Sequence, residues 1–521
     1  MQQDQIEERL SQMTLAQKIG QITMAERMHV TPEDVKTYAL GAVLSGGGSH
    51  PGDNGPSDWV QMNDEFWQAA VADPDSQGIP ILFGIDAVHG HNNLRCATIF
   101  PHNIGFGAAG DPKLVAQMAS ITAKEILATG LEWSFAPTLA VVQDCHWGRS
   151  YESYGTDPKQ VGAMGEAYVK ALQAEGVMGC AKHWVGDGGT RHGVDQGETT
   201  LPWEDLEATH VAPYYPALAA GVMSVMISFN SWNGAKCHGH RFLVTEYLKG
   251  QLGFAGIVVS DWDGVDYLHK DYGAAVAQAV NAGLDMFMVP ERWREFIATL
   301  TEQVEQGNVP QARIDDAVRR VLLAKIRCGL FTLPRPSERV GANAASFGSA
   351  AHREVAREAV RRSQVLLKND GVLPIDASAT VLVAGKTADN LGLQCGGWTV
   401  SWQGQTDGTG IAGTSIWQGI KSLVPSAELS QDGSGADAAR HDVAIVVVGE
   451  TPYAEGQGDI RASDAVLQET AAAIEGSMSP LEAYASSMKL ADIHPEDLAC
   501  IRRVSAAGVP VVVVLVSGRP L

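Results

Sequence analysis

No Cys-x-x-Cys pair occurs in the chain, and its seven cysteines, Cys96, Cys145, Cys180, Cys237, Cys328, Cys395 and Cys500, are scattered. That spacing excludes a zinc ribbon or a thioredoxin-type motif, and an odd number of thiols cannot all pair within one chain. Basic residues are scarce as well: 38 Lys and Arg against 60 Asp and Glu give a net charge of −22. Such a surface repels phosphate backbones and anionic bilayers, which argues against nucleic acid and membrane as partners. No apolar run approaches the roughly 20 residues needed to span a bilayer. The opening MQQDQIEERLSQMTLAQKIGQ lacks the basic and apolar regions of a signal peptide, as expected of a cytosolic chain or of one whose leader has been removed. What is present is a chain of 521 residues, 45% hydrophobic and 19% charged, enough for two or three globular domains.

The first 300 or so residues repeat one pattern, an amphipathic helix, a Gly near its end and a short apolar strand. LATGLEWSFAP (127–137), AEGVMGCAKH (174–183), AAGVMSVMISFN (219–230), LGFAGIVVSD (252–261) and NAGLDMFMV (281–289) are examples. With ALGAVLSGG (39–47) and IPILFGIDA (79–87), seven such strands can be counted. Gly ends a helix in the left-handed conformation, and continuous apolar runs suit strands buried on both faces of a parallel sheet. The alternation predicts a (β/α)8 TIM-like barrel over residues 1–333. Residues 334–350, rich in Pro, Gly, Ser and Ala, read as a linker. Residues 351–521 read as a doubly wound α/β sandwich domain, with a helix over 351–369 and strands TVLVAG (380–385), HDVAIVVVGE (441–450) and VPVVVVLVSG (509–518). A buried parallel strand so near the last residue leads us to expect a truncated second domain.

In such a barrel the chemistry sits at the C-terminal ends of the strands. The polar residues there are Asp86, Lys182 with His183, Ser228 with Asn230, and Asp261, joined by Arg149 in HWGRSYESYG. The run Ile257-Val258-Val259-Ser260-Asp261-Trp262-Asp263-Gly264 is the most pointed of these, because it delivers a carboxylate and an indole together at the end of an apolar strand. A carboxylate so placed can attack an electron-poor carbon, and an indole face suits the apolar face of a sugar ring. Glycoside hydrolysis with retention needs a second carboxyl about 5–5.5 Å from the first. The loop GETPYAEGQGD (449–459), following the strand VAIVVVG, offers Glu450, Glu455 and Asp459, which the sequence does not rank.

The chain resembles glycoside hydrolase family 3, near its exo-β-glucan glucohydrolases and β-glucosidases. The resemblance is carried by GIDAVHGHNN (84–93), HWGRSYESYG (146–155), AKHWVGDGGT (181–190), VMISFNSWNG (225–234), SDWDG (260–264), GGWTVSWQG (396–404) and ETPYAEGQGD (450–459). It implies that Asp261 is the nucleophile and Glu455 the acid/base. It implies further that Asp86, Arg149, Lys182, His183 and Met226 hold the terminal glucose, and that Trp262 and Trp402 sandwich the next sugar. The implied activity is exo-acting hydrolysis of β-linked gluco-oligosaccharides or aryl β-glucosides, with no metal and no cofactor. Phe229 stands where relatives often carry Tyr, and Ser150 where plant relatives carry half of a disulfide.

Two rival readings remain in view. A one-domain β-N-acetylhexosaminidase uses a His and Asp pair, for which His192 and Asp195 are available, although this chain lacks the KHFPGHG form of that group. A non-catalytic sugar-binding relative is the other, and presence of both Asp261 and Glu455 argues against it. The two HGH runs, at 89–91 and 238–240, are assigned to packing and backbone hydrogen bonding rather than to a metal, since no partnered carboxylate or thiol cluster accompanies them.

Overall fold

A computed structural model describes residues 2–72, 78–342, 345–461 and 482–521. Every strand expected in the first 300 residues forms, and each is buried. Five lie parallel in the order Phe287–Met288, Thr23–Glu26, Ala42–Ser45, Leu82–Ile85, Trp133–Ser134, and three more in the order Ile257–Val259, Ser224–Ile227, Cys180–Trp184. Isolated parallel bridges connect the two groups, Trp133 with Met178 at one side and Val259 with Met286 at the other. The strand Thr23–Glu26 escapes sequence inspection because Gly20 lies inside the helix Leu15–Gln21 rather than after it, and the four-residue strand is polar at both ends.

The helices between the strands bury one face each. Pro112–Ala128 and Pro158–Ala174 begin alike, with Asp111 and Asp157 accepting from the backbone N–H of Lys113 and Lys159 and a Pro in the first turn. Both devices satisfy or remove amide donors that a helix leaves unpaired at its start. Their apolar faces, with Met118, Ile126, Val161 and Leu172, pack in the main core.

The segment read as a linker is pinned to the first domain, residues 343 and 344 lying outside the described ones. The Ser337 N–H donates to Asp64, Arg339 Nη1 lies 3.1 Å from Glu132 Oε2, and the Gly348 N–H donates to Glu125. The helix expected over 351–369 runs Ala350–Ser363, and its buried Ala356 and Ala359 belong to the first domain's core. Beyond Ser363 the Asn369 side chain accepts from the Gly371 and Leu373 N–H groups, a turn that competes with further helix.

The second domain carries a parallel sheet in the order Glu428–Ser430, Val381–Ala384, Val443–Gly449, Val511–Val516. Alternate residues of its strands feed two cores. Leu382, Ala384, Val446 and Val448 meet Cys500 and Val504 of the helix Pro495–Ala506 on one face. Val381, Val383, Ile445 and Val447 meet Ile416, Trp417 and Ile420 on the other. The chain order reverses between Val381–Ala384 and Val443–Gly449, and ligands of open α/β sheets bind at the C-terminal ends of strands flanking such a point. The segment Glu450–Asp459 leaves the sheet there and reaches the rim of the first domain. Val88 and Tyr151 of that rim pack with Trp398, Tyr453 and Ala454 in a small interdomain core, and Tyr151 donates to the Tyr453 carbonyl at 2.6 Å.

Candidate active site

Strand ends bring most of the expected residues into one cleft. Lys182 and His183 lie in the strand Cys180–Trp184, Asp86 follows Leu82–Ile85, and Asp261 follows Ile257–Val259. Lys182 Nζ donates to Asp86 Oδ1 at 2.8 Å, while Asn92 and Asn93 donate to the Asp86 carbonyl at 3.1 and 2.8 Å. Asp86 is thus held at both ends, and its second carboxylate oxygen remains for a ligand hydroxyl.

Arg149 is the hub. Its guanidinium forms a two-point contact with Glu152, at 3.0 and 2.9 Å, which fixes the plane of the fork. Arg149 Nη1 lies 3.4 Å from Glu455 Oε1, and Nη2 lies 3.3 Å from His183 Nε2. His183 Nε2 is in turn 3.6 Å from Asp261 Oδ2. Because His183 Nδ1 meets Asp187 Oδ2 at 2.8 Å, the proton sits on Nδ1 and Nε2 accepts from Arg149. Burial, then the Arg149 and Lys182 charges, push the His183 pKa well down, so the ring is neutral. A neutral Nε2 facing a carboxylate at 3.6 Å makes no hydrogen bond with it; a hydroxyl placed between them would donate to one and accept from Arg149.

The two carboxyls expected to do chemistry differ in charge state. Burial raises the Asp261 pKa to about 6, with the Arg149 charge, the Trp262 N–H and Lys182 pulling it back. Burial raises that of Glu455 to about 8, with Asp195, Asp261 and Glu152 adding to it against Arg149. Near neutral pH Asp261 is therefore ionised and Glu455 protonated, a separation of acid from base by environment alone. Both side chains keep a path to solvent, being 13% and 19% exposed.

The other loop carboxyls are spent. Glu450 Oε2 accepts from Tyr453, Ser517 and the Gly518 N–H. The oxygens of Asp459 accept from the backbone N–H groups of Gly148 and Asp195, each at 2.9 Å. Of the three carboxyls in this loop, Glu455 is the one directed at Arg149.

Residues 14–324 match the family model for the glycosyl hydrolase family 3 N-terminal domain, and 364–521 match that for the C-terminal domain. The chain belongs to glycosyl hydrolase family 3. A lysosomal beta glucosidase of Dictyostelium discoideum is 31% identical, covering 98% of this chain and 65% of that protein. A periplasmic beta-glucosidase of Salmonella typhimurium is 30% identical over 98% of this chain and 67% of that one. Among solved structures, an exo-1,3/1,4-beta-glucanase from a Pseudoalteromonas species superposes with a TM-score of 0.89 at 42% identity, covering all of this chain and 64% of that one. The chain thus spans about two thirds of the length of these family 3 relatives.

Both expected indoles of this family 3 chain lie beside the turn that follows strand Ala42–Ser45. Trp262 is 37% exposed, unusual for so large an apolar group. The glycines that follow strand Ala42–Ser45 let both approach: a Cβ on Gly46 would meet the Trp262 ring at 2.9 Å, and one on Gly47 would meet Trp402 Cβ at 2.9 Å. Met226 is buried near the end of strand Ser224–Ile227, in the first domain's core. Asn230 is structural, its amide donating to Thr199 Oγ1 and the Ser231 carbonyl. His192 is exposed, whereas Asp195 accepts from the Trp147 indole at 2.9 Å.

Several site residues were not singled out in the sequence. Glu152 is fully buried between Arg149 and the Trp398 indole, Asp187 orients His183, and His238 Nε2 accepts the Asp261 backbone N–H at 2.9 Å. Burial lowers the His238 pKa to about 3, so its ring is a neutral acceptor. The i, i+3 spacing of Arg149 and Glu152 was the available signal for the first. The second HGH run was legible as backbone-bonded, but not as a support for Asp261.

Proposed function

We propose that this chain is a retaining, exo-acting β-glucosidase or β-glucan glucohydrolase that releases glucose from β-linked gluco-oligosaccharides and aryl β-glucosides. The observation that carries the reading is geometric: Arg149 Nη1 lies 3.4 Å from Glu455, and Nη2 meets His183, whose Nε2 lies 3.6 Å from Asp261, with burial raising Glu455 further than Asp261. Glu455 gives its proton to the glycosidic oxygen while Asp261 attacks the anomeric carbon, forming a covalent glucosyl ester. Glu455, now a carboxylate, takes a proton from the water that hydrolyses the ester. Asp86, Lys182, Arg149 and His183 hold the hydroxyls of the terminal glucose, and Met226 lines the same pocket. Trp262 and Trp402 stack on the next sugar, a contact tolerant of linkage because a π-face does not read hydroxyl positions. The names of the relatives, beta-glucosidase and exo-1,3/1,4-beta-glucanase, support the substrate class.

We also propose that the eight parallel strands of the first domain close into one ring. Isolated parallel bridges at both seams between its sheets, Trp133 with Met178 and Thr138 with Lys182 at one and Val259 with Met286 at the other, support closure. In a closed ring the strand ends converge on one mouth, where these residues are needed.

Proton NMR on a panel of linkage-defined glucose disaccharides tests the function. Glucose that first appears as the β-anomer is expected. An initial α-anomer would exclude retention, and no hydrolysis of any β-linked substrate would exclude the enzyme.

A further inference from the structure

Glu455 sits in a backbone conformation that needs outside support. Its φ is +55°, the left-handed region that costs a side-chain-bearing residue roughly 1–2 kcal/mol. The turn Glu455–Gly458 that it begins is a short 3-10 segment. Something beyond the turn must fix it over the cleft.

We propose that Arg519 is a positioning residue for the hydrolytic reaction, clamping the Glu455 turn to the rim segment that carries Arg149. The inference rests on the functional reading above and deepens it. Arg519 follows the strand Val511–Val516, far in sequence from both, and its side chain is fully buried. Nη2 donates to the Gly458 carbonyl at the end of the Glu455 turn. Nη1 donates to the carbonyls of Cys145 and His146, at 3.2 and 3.3 Å, just before Arg149 in the chain. Nε donates to Tyr453 Oη at 3.0 Å and lies 3.3 Å from Glu450 Oε1, with the guanidinium 4.7 Å from the Tyr453 ring centroid.

One planar fork therefore ties three backbone segments together: the turn, the loop before it and the barrel rim. The contact it enforces is close. A Cβ on Gly148 would lie 2.1 Å from the Glu455 carbonyl oxygen, so the rim passes directly against the turn. Asp459 works from the other side, drawing the Gly148 and Asp195 amides onto the turn's far end. Between these ties, Arg149 and Glu455 keep their 3.4 Å separation. A buried guanidinium is costly unless its donors are filled; here three main-chain carbonyls of the elements to be aligned share it with the Tyr453 hydroxyl and the Glu450 carboxylate. A Lys in this place carries its charge at one point and cannot address them all.

The test measures kcat/KM of the full chain for a β-linked glucose disaccharide and for 2,4-dinitrophenyl β-glucoside, across pH. The second substrate departs with little protonation. With Arg519→Met the disaccharide rate is expected to fall about 100-fold and the dinitrophenyl rate less than about 5-fold, as for a displaced general acid. The alkaline limb should also move to lower pH, because a loosened Glu455 regains water. Arg519→Lys should recover part of both effects. Equal losses on both substrates with an unmoved limb would reduce Arg519 to a structural residue, and no loss would overturn its role outright. If Arg519→Met does not fold, Tyr453→Phe, which removes the hydroxyl held by Nε, must reproduce the same leaving-group dependence at smaller size, or the proposal fails. A wild-type chain that cleaves neither glucoside would instead refute the functional reading, and this role with it, before any variant is compared.

Discussion

Replacing Glu455 by Gln tests the charge separation directly. In the unaltered chain the acidic limb of kcat/KM should report Asp261, near pH 6, and the alkaline limb Glu455, near pH 8. At pH 7 each group is about 90% in its working state, because one pH unit is a tenfold ratio. At pH 9 about nine tenths of Glu455 has lost its proton, and kcat/KM should be down roughly tenfold. Glu455→Gln keeps the shape and the hydrogen-bonding capacity but cannot donate the proton. Disaccharide cleavage should fall by about 10²- to 10⁴-fold and the alkaline limb should vanish, while dinitrophenyl glucoside still forms the covalent intermediate.

The same variant has a thermodynamic signature. A carboxyl raised from 4.5 to about 8 is protonated in the folded chain over a range where the unfolded chain has released its proton. The folded state then binds more protons, so stability is full below the unfolded pKa and declines as pH rises from about 4.5 to about 8. At about 1.4 kcal/mol per unit the shift corresponds to about 5 kcal/mol, less whatever solvent reaches the group through the cleft. Gln carries no such penalty. Thermal melts at pH 5 and pH 8.5 should show Glu455→Gln gaining on the parent chain at the higher pH and little at the lower. An unchanged alkaline limb in the variant would hand the acid role to another group, and a stability difference independent of pH would mean that Glu455 is not held protonated.

Asp261→Asn should lower turnover on every glucoside by about 10³-fold or more while leaving the melting temperature close to that of the parent, read by steady-state kinetics and circular dichroism. Trp402→Ala should raise KM for disaccharides several-fold and affect small aryl glucosides differently, since their leaving group is not a sugar; unchanged disaccharide kinetics would make Trp402 structural. Arg149→Gln removes the charge that most offsets the burial of both catalytic carboxyls, so both limbs of the pH profile should shift upward. A profile that only drops in height would mean that Arg149 binds substrate without setting the charge states.

Strand ends were readable because their signal is local: an apolar run, then a polar residue, as at Ile85-Asp86 and Val259-Ser260-Asp261. The parallel sheets follow from the same runs. Two short strands of these parallel sheets were not readable, Thr23–Glu26 because it is polar at both ends and follows a Gly buried inside a helix, and Glu428–Ser430 because it is a partly exposed edge without an apolar run. The choice of Glu455 over Glu450 and Asp459 came from family resemblance, and the physical ground for it lies in partners remote in sequence, Gly148 for one carboxyl and Gly518 for another. Arg519 gave no sign of its place, because three of its acceptors are main-chain carbonyls, which any sequence would supply, and its side-chain partners Tyr453 and Glu450 lie far from it in sequence. Gly46 and Gly47 end the run ALGAVLSGG, and only the fold reveals the indoles resting on them.

The split between Asp261 and Glu455 follows from burial, offset by few cations around the cleft. Asp86, Glu152, Asp187, Asp195, Asp261, Glu455 and Asp459 gather there, with Lys182 and Arg149 the cations paired to them and His183 neutral. Lys182 is committed to Asp86 and Arg149 to Glu152, at 2.8 and 2.9 Å. The other five carboxyls are all pushed upward, chiefly by burial. Ionising all of them would leave like charges facing one another in poorly hydrated surroundings. Asp261 stays lowest of the three with assigned values because its charge is met by Arg149, the Trp262 amide and Lys182 together, whereas Glu455 has Arg149 to offset its burial and faces Asp195, Asp261 and Glu152. Placing the acid on a second domain strengthens this effect, since the approaching loop both dries the cleft and adds the carboxyl that cannot ionise there. The proposed nucleophile and acid thus differ through burial and one arginine shared among several carboxylates, and any change that adds a cation to the Glu455 side should erase the difference between them.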